Sequence, residues 1–152
     1  MAEGYHFQSG PYLEAALLCE KVLVEVDGVK SIIRVIDRIV RTVIGQNPPP
    51  EMEPFNQWCT LFLRIKAGRA RGVMPLKIEI IKPSGESLAP LQHSILFEGE
   101  DDRGIDVVDN IVLQIDQTGI YWFKIYLNNV KITQVPLRVV YLPQVTQTGN
   151  IL

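Results

Sequence analysis

Polar and apolar residues alternate with a period of two along much of this chain, the pattern of strands with one face buried and the other in water. Between Trp58 and Lys66, the residues Cys59, Leu61, Leu63 and Ile65 fall on one side. Thr60, Arg64 and Lys66 fall on the other, with Phe62 among them. Met74, Leu76, Ile78 and Ile80 oppose Pro75, Lys77 and Glu79. Ile111, Leu113 and Ile115 oppose Asn110, Gln114 and Asp116, and a short apolar run, Ile95-Leu96-Phe97, precedes them. Further on, Tyr121, Phe123, Ile125 and Leu127 alternate with Trp122, Lys124 and Tyr126. Asn128-Asn129 tolerates positive φ and predicts a tight hairpin turn into a return strand from Val130 to Leu142, with Val135, Leu137, Val139 and Tyr141 on one side. Pro136 puts that strand at an edge, or marks where its paired portion begins, because proline donates nothing to a ladder.

Turn-forming clusters separate these runs: Asp27-Gly28, Gly45 to Pro50, Gly68 to Gly72, Lys82-Pro83-Ser84-Gly85 and Gln117-Thr118-Gly119. One segment is ambiguous. From Ser31 to Val43, Ile32, Ile36, Ile39, Val40 and Val43 stand at helical spacing opposite Arg34, Asp37, Arg38 and Arg41. Ile or Val nevertheless fills seven of the thirteen positions, which suits a pleated sheet better than a helix, and the Asp27-Gly28 turn joins the segment to Ala15–Val26 as a hairpin. We read it as strand; a helix here would shift the class to α+β. The expected fold is all-β, an antiparallel two-sheet sandwich of the immunoglobulin-like kind with about seven to nine strands. A flexible tail at 1–12, a domain at 13–142 and a second tail at 143–152 complete the expected organisation.

The chain has 152 residues, 47% of them apolar and 21% charged, which is ordinary for one globular domain. Its 15 basic and 17 acidic side chains leave a formal charge of -2, so no overall attraction draws it to nucleic acid or anionic lipid, and neither is expected as a partner. No apolar stretch approaches the ~20 residues that cross a bilayer, and no secretory signal precedes Pro11, so a cytoplasmic location is expected. Cys19 and Cys59 sit in apolar runs and read as buried thiols.

The run Ala16-Leu17-Leu18-Cys19-Glu20, the Asp27-Gly28 turn, the segment Ser31 to Ile39 and the closing segment Gly119-Ile120-Tyr121-Trp122-Phe123 through Asn128-Asn129 to Pro136-Leu137-Arg138-Val139 have a likeness elsewhere. Together they resemble a family of small uncharacterised bacterial proteins, a domain of unknown function, over roughly Ala15 to Val140. The resemblance implies a two-sheet, immunoglobulin-like architecture and carries no catalytic residue to transfer.

Nucleophilic catalysis needs a Ser, Cys or Thr beside an oriented base. The available histidines are His6, in the amino-terminal tail, and His93, flanked by Gln92 and Ser94 in what reads as a polar loop. Both read as surface histidines. Zinc is not expected, because the His and Cys residues are far apart in sequence. An acidic loop at 98–109, with Glu98, Glu100, Asp101, Asp102, Asp106 and Asp109, gathers oxygen ligands. Glu100, Asp101, Asp102 and Asp106 are the residues that would take calcium or a small polar ligand, although Arg103 opposes a cation there. A solvated loop is the simpler account. Arg64, Lys66, Arg69 and Arg71 form a basic group, and Pro48-Pro49-Pro50 reads as a loop spacer.

No reactive constellation emerges, so no enzyme and no cofactor are expected. The expected function is a non-catalytic protein interaction or assembly module, acting on another protein or on itself as a homo-oligomer. Trp58, Arg69, Arg71, Trp122 and Tyr126 are its candidate contact residues. The ligand- or calcium-binding sandwich is the alternative.

Overall fold

A computed structural model describes residues 10–146. His6 and the outer parts of both expected tails lie outside the described residues. Nine strands run in chain order: β1 (Tyr12–Val24), β2 (Lys30–Ile36), β3 (Arg38–Gly45), β4 (Phe55–Lys66), β5 (Arg71–Ile81), β6 (Leu91–Glu98), β7 (Gly104–Ile115), β8 (Gly119–Leu127) and β9 (Val130–Val145). β9 thus continues three residues past the expected domain end at 142. There is no helix among the described residues, and so none long and apolar enough to cross a membrane.

The strands form two sheets, β2-β1-β4-β7 and β3-β9-β8-β5-β6. Their inward faces supply one apolar core, in which Leu61, Leu63 and Ile65 of β4 and Tyr121, Phe123 and Ile125 of β8 are fully buried. The alternation of the sequence therefore corresponds to the two inner faces of a sandwich. One edge of the sandwich is bridged where β6 meets β7: His93 Nε2 lies 2.8 Å from Asp109 Oδ2. His93 is a strand residue with a carboxylate partner, not the loop residue expected, because β6 begins at Leu91.

The expectation of a purely antiparallel sandwich is corrected at the opposite edge. The Ser31–Val43 segment is strand, but it breaks at Asp37: β2 pairs with β1 in the four-stranded sheet, whereas β3 pairs with β9 in the five-stranded one. The chain changes sheets without reversing direction, so β3 lies parallel to β9, Arg38 beside Arg138 through Gly45 beside Val145. The change also shifts the phase by one residue. Ile36 of β2 and Ile39 of β3 both pack on the core, an even position followed by an odd one. A strand that slips phase mid-run places apolar residues at intervals of three and four, which is why the segment imitates a helix.

Pro136 sits where the same geometry allows it. The Arg138 amide donates to the Asp37 carbonyl at 3.0 Å, so amides at even positions of β9 face the β3 side. Pairing with β3 starts only at Arg138, so the donor missing at Pro136 faces no strand. Asn128 and Asn129 adopt φ of 50° and 65°, the conformation a two-residue hairpin turn requires.

Candidate partner-binding surface

β4 is buried on both faces from Cys59 to Leu63. Cys59, Leu61 and Leu63 face the core. Thr60 and Phe62 point outward, yet only 3% of each is exposed. Phe62 and its outward-facing neighbour Cys19 are buried but do not belong to the main core cluster, so something else covers them.

The cover is the β1–β2 hairpin. β1 stays paired with β4 only from Tyr12 to Cys19; beyond that it pairs with β2 alone, out to Val24 beside Lys30. In a flat sheet Lys30 would lie far from β7, since β1 and β4 intervene and about nine residues of strand at ~3.3 Å each separate Val24 from Ala15, opposite Arg64. Instead Lys30 Nζ is 2.7 Å from Asp106 Oδ2. The hairpin therefore bends at Cys19 and Glu20 and folds back across the outer face of the four-stranded sheet. At the bend Arg34 has φ of 53°, and its Nε donates to Glu20 Oε1 at 2.8 Å. The Glu20 carbonyl in turn accepts from Thr60 Oγ1 at 3.5 Å. Half-buried Val22, Leu23 and Ile32 belong to the folded-back part. An apolar side chain removed from water is worth about 1.5–3 kcal/mol, enough to favour the closed position over an extended ribbon that leaves Phe62 exposed.

Asp106 closes this arrangement. Its carboxylate takes both Arg64 Nε (2.7 Å) and Arg64 Nη2 (3.0 Å) as well as Lys30 Nζ. The Arg64 guanidinium foremost, and then the Lys30 ammonium, hold the Asp106 carboxyl down at about 2, against the cost of its partial burial.

Beyond the bend, one step along β4, the outer face is open. Trp58 is 70% exposed and lies beside Val112 of β7, 47% exposed. A large aromatic and an apolar neighbour thus stand together in water on the outer face of the β4–β7 pair.

The other sequence-selected contact residues do not join it. Trp122 and Tyr126 are half-buried on the outer face of the five-stranded sheet, on the opposite side of the sandwich, where Lys77 Nζ sits 4.9 Å from the Tyr126 ring centroid. Arg69 lies in the turn after β4. Arg71 begins β5, beside Glu98. The basic group is divided as well, since Arg64 is held by Asp106 and Lys66 donates to the Asp102 carbonyl at 3.0 Å.

The acidic segment is not one loop. Asp106 and Asp109 belong to β7 and point to opposite faces, the first toward Arg64 and Lys30, the second toward His93. Glu98 and Glu100 both engage Arg103, each at 3.0 Å. Asp101 and Asp102 contribute carbonyls, to the Tyr12 hydroxyl and to Lys66. Among the described residues no three His, Cys, Asp or Glu side chains converge on a point that would hold a metal ion.

An open cleft of about 710 Å³ lies among the loops after β3, β5 and β7, lined by Met52, Ser84, Asp116, Gln117 and Tyr141 among others. Its polar groups serve one another: Lys82 Nζ donates to Asp116 Oδ2 at 2.9 Å, and Gln117 Oε1 accepts from the Ser84 amide at 2.9 Å. Cys19 and Cys59 are free and buried; burial, then the neighbouring Cys19, pushes the Cys59 thiol up to about 11. Such a thiol is a poor nucleophile.

Sequence reasoning passed over Lys30, Val112 and the folded hairpin. The one signal was Phe62, an aromatic on the polar side of an otherwise regular alternation.

A search of curated proteins found no match to this chain. The profile of a family of unknown function, DUF6941, matches residues 14–140, from the start of β1 into β9, nearly the span over which the sequence resembled such a family. The chain belongs to this family of unknown function, DUF6941.

Proposed function

We propose that this chain is a non-catalytic protein interaction or assembly module, and that the surface around Trp58 is where it meets another protein. The observation that carries this reading is the 70% exposure of Trp58 on β4, beside the exposed Val112 of β7. Exposed tryptophan is over-represented at the centres of protein interfaces, and truncating such an anchor commonly costs more than ~2 kcal/mol of binding. The two free thiols agree with a cytoplasmic setting, and the strand that changes sheets agrees with an immunoglobulin-like sandwich; both belong to the proposal.

The test is a photoreactive phenylalanine analogue placed at position 58, with the same residue at exposed Glu86 as control, irradiated in cells of the native host. The expected result is a discrete protein adduct at 58 and none at 86. Equal labelling at both positions, or none at either, would defeat the reading.

A further inference from the structure

We propose that copies of this chain associate head to tail, the tip of the β1–β2 hairpin of one copy docking on the β3–β9 face of the next. This deepens the interaction reading above and rests on it, but it uses different surfaces from Trp58.

The tip is Val24-Glu25-Val26-Asp27-Gly28-Val29. Turns on protein surfaces are built mainly from polar residues, yet Val24 and Val29 are exposed here and Val26 has no cover at all, at 109%. The tip is also rigid. The Glu25 amide donates to the Val29 carbonyl at 2.8 Å, the Gly28 amide to the Glu25 carbonyl at 2.9 Å, and the Val29 amide to Asp27 Oδ1 at 3.0 Å. It is thus a preorganised apolar knob with two carboxylates, and its docking would cost little conformational entropy.

The opposite chemistry lies on the other side of the sandwich. On the outer face of the five-stranded sheet, Arg38 of β3 stands in register beside Arg138 of β9, followed by Val40 beside Val140 and Thr42 beside Leu142. Like charges directly across a ladder repel. Neither guanidinium makes an ion pair among the described residues. The paired arginines ask for external carboxylates, and the exposed Val40 and Leu142 beside them offer apolar contact. Glu25 and Asp27, interleaved with Val24, Val26 and Val29, supply both. Because the hairpin lies over the four-stranded sheet and the arginines lie on the far face of the other, tip and face cannot meet within one copy. Between copies the contact is heterologous, and it builds a ring or a filament.

Sedimentation velocity of the full chain from micromolar to submillimolar concentration, at low and physiological salt, tests this. The parent is expected to show concentration-dependent species that weaken with salt. Glu25→Lys with Asp27→Asn, which keeps an Oδ1 for the Val29 amide, and separately Arg38→Glu with Arg138→Glu, should each lower the association constant by about tenfold or more while melting as the parent does. An equimolar mixture of the two variants should associate again, because a native tip then meets a native face. Arg38→Lys with Arg138→Lys should retain association. A parent that stays monomeric throughout, or reversed variants that associate like the parent, would overturn the proposal. Trp58→Glu should leave self-association unchanged, so a monomeric parent that still gives the position-58 adduct overturns self-association alone. A self-associating parent without that adduct overturns the Trp58 reading alone.

Discussion

Lys30 and Asp106 belong to strands at opposite edges of the same four-stranded sheet, yet their charged atoms are 2.7 Å apart. Only a hairpin folded back over the intervening strands brings them together. Arg64, the second partner of Asp106, lies on the face the hairpin covers. The charge cluster therefore pins the hairpin shut.

The Asp106 carboxyl is held below its ordinary 3.8, at about 2, so the folded state binds its proton less tightly than the unfolded state. Its contribution to stability is fully present above pH 3.8 and is lost as pH falls from there toward 2. Asp106→Asn should lower stability at neutral pH by about 1–3 kcal/mol, because Arg64 and Lys30 lose their counter-charge. The variant's unfolding curve should also depend less on pH across that window. Urea denaturation of both proteins at pH 7 and pH 3 measures this.

Arg34 bears a positive φ at the bend, a conformation that costs an L-residue roughly 1–2 kcal/mol. Arg34→Gly should fall within about 0.5 kcal/mol of the parent, since relief of that cost is offset by the loss of an exposed ion pair with Glu20 together with the larger chain entropy that glycine loses on folding. Arg34→Val should destabilise by about 1–2 kcal/mol, because a β-branched residue suits positive φ least. Thermal melts of the two variants distinguish backbone strain from the ion pair.

Tyr121 is wholly buried, and its hydroxyl accepts from the amides of Asp116 and Gln117, both at 3.2 Å, while donating to Asp116 Oδ1 at 3.3 Å. Tyr121→Phe keeps the ring and orphans these groups, so it should cost about 1–3 kcal/mol. Amide exchange at Asp116 and Gln117 should quicken more than elsewhere in the five-stranded sheet.

Cys59 is buried and its thiol stands at about 11, while burial also raises Cys19. Both should resist an aromatic disulfide reagent at pH 8 in the native protein and react promptly in denaturant. Fast native-state reaction of either would mean that the sheet or its hairpin cover opens readily.

The strands were legible because one face of each meets the core, so period-two alternation survives in β4, β5, β7 and β8. The Asn128-Asn129 turn was legible because its backbone demands residues that accept positive φ. The change of sheet at Asp37 was not, since an apolar β-branched run continues across it and no Gly or Pro marks it. Parallel pairing of β3 with β9 leaves no local trace in either strand. Of the candidate contact residues, Trp58 was recognisable as an aromatic off the main alternation. Its separation from Trp122 and Tyr126 depends on which sheet each strand joins, and alternation does not encode that. The acidic residues looked like a cluster because proximity in sequence hides the fact that Asp106 and Asp109 point to opposite faces of β7.

The most direct test of the account is the environment of Trp58 itself. With Trp122→Phe, Trp58 is the sole tryptophan of the chain, and its emission reports the proposed contact surface. The isolated protein should emit at long wavelength and be quenched freely by acrylamide, and the same variant in its native complex should shift to the blue and be protected. Equal quenching in the free protein and in the complex would contradict the account.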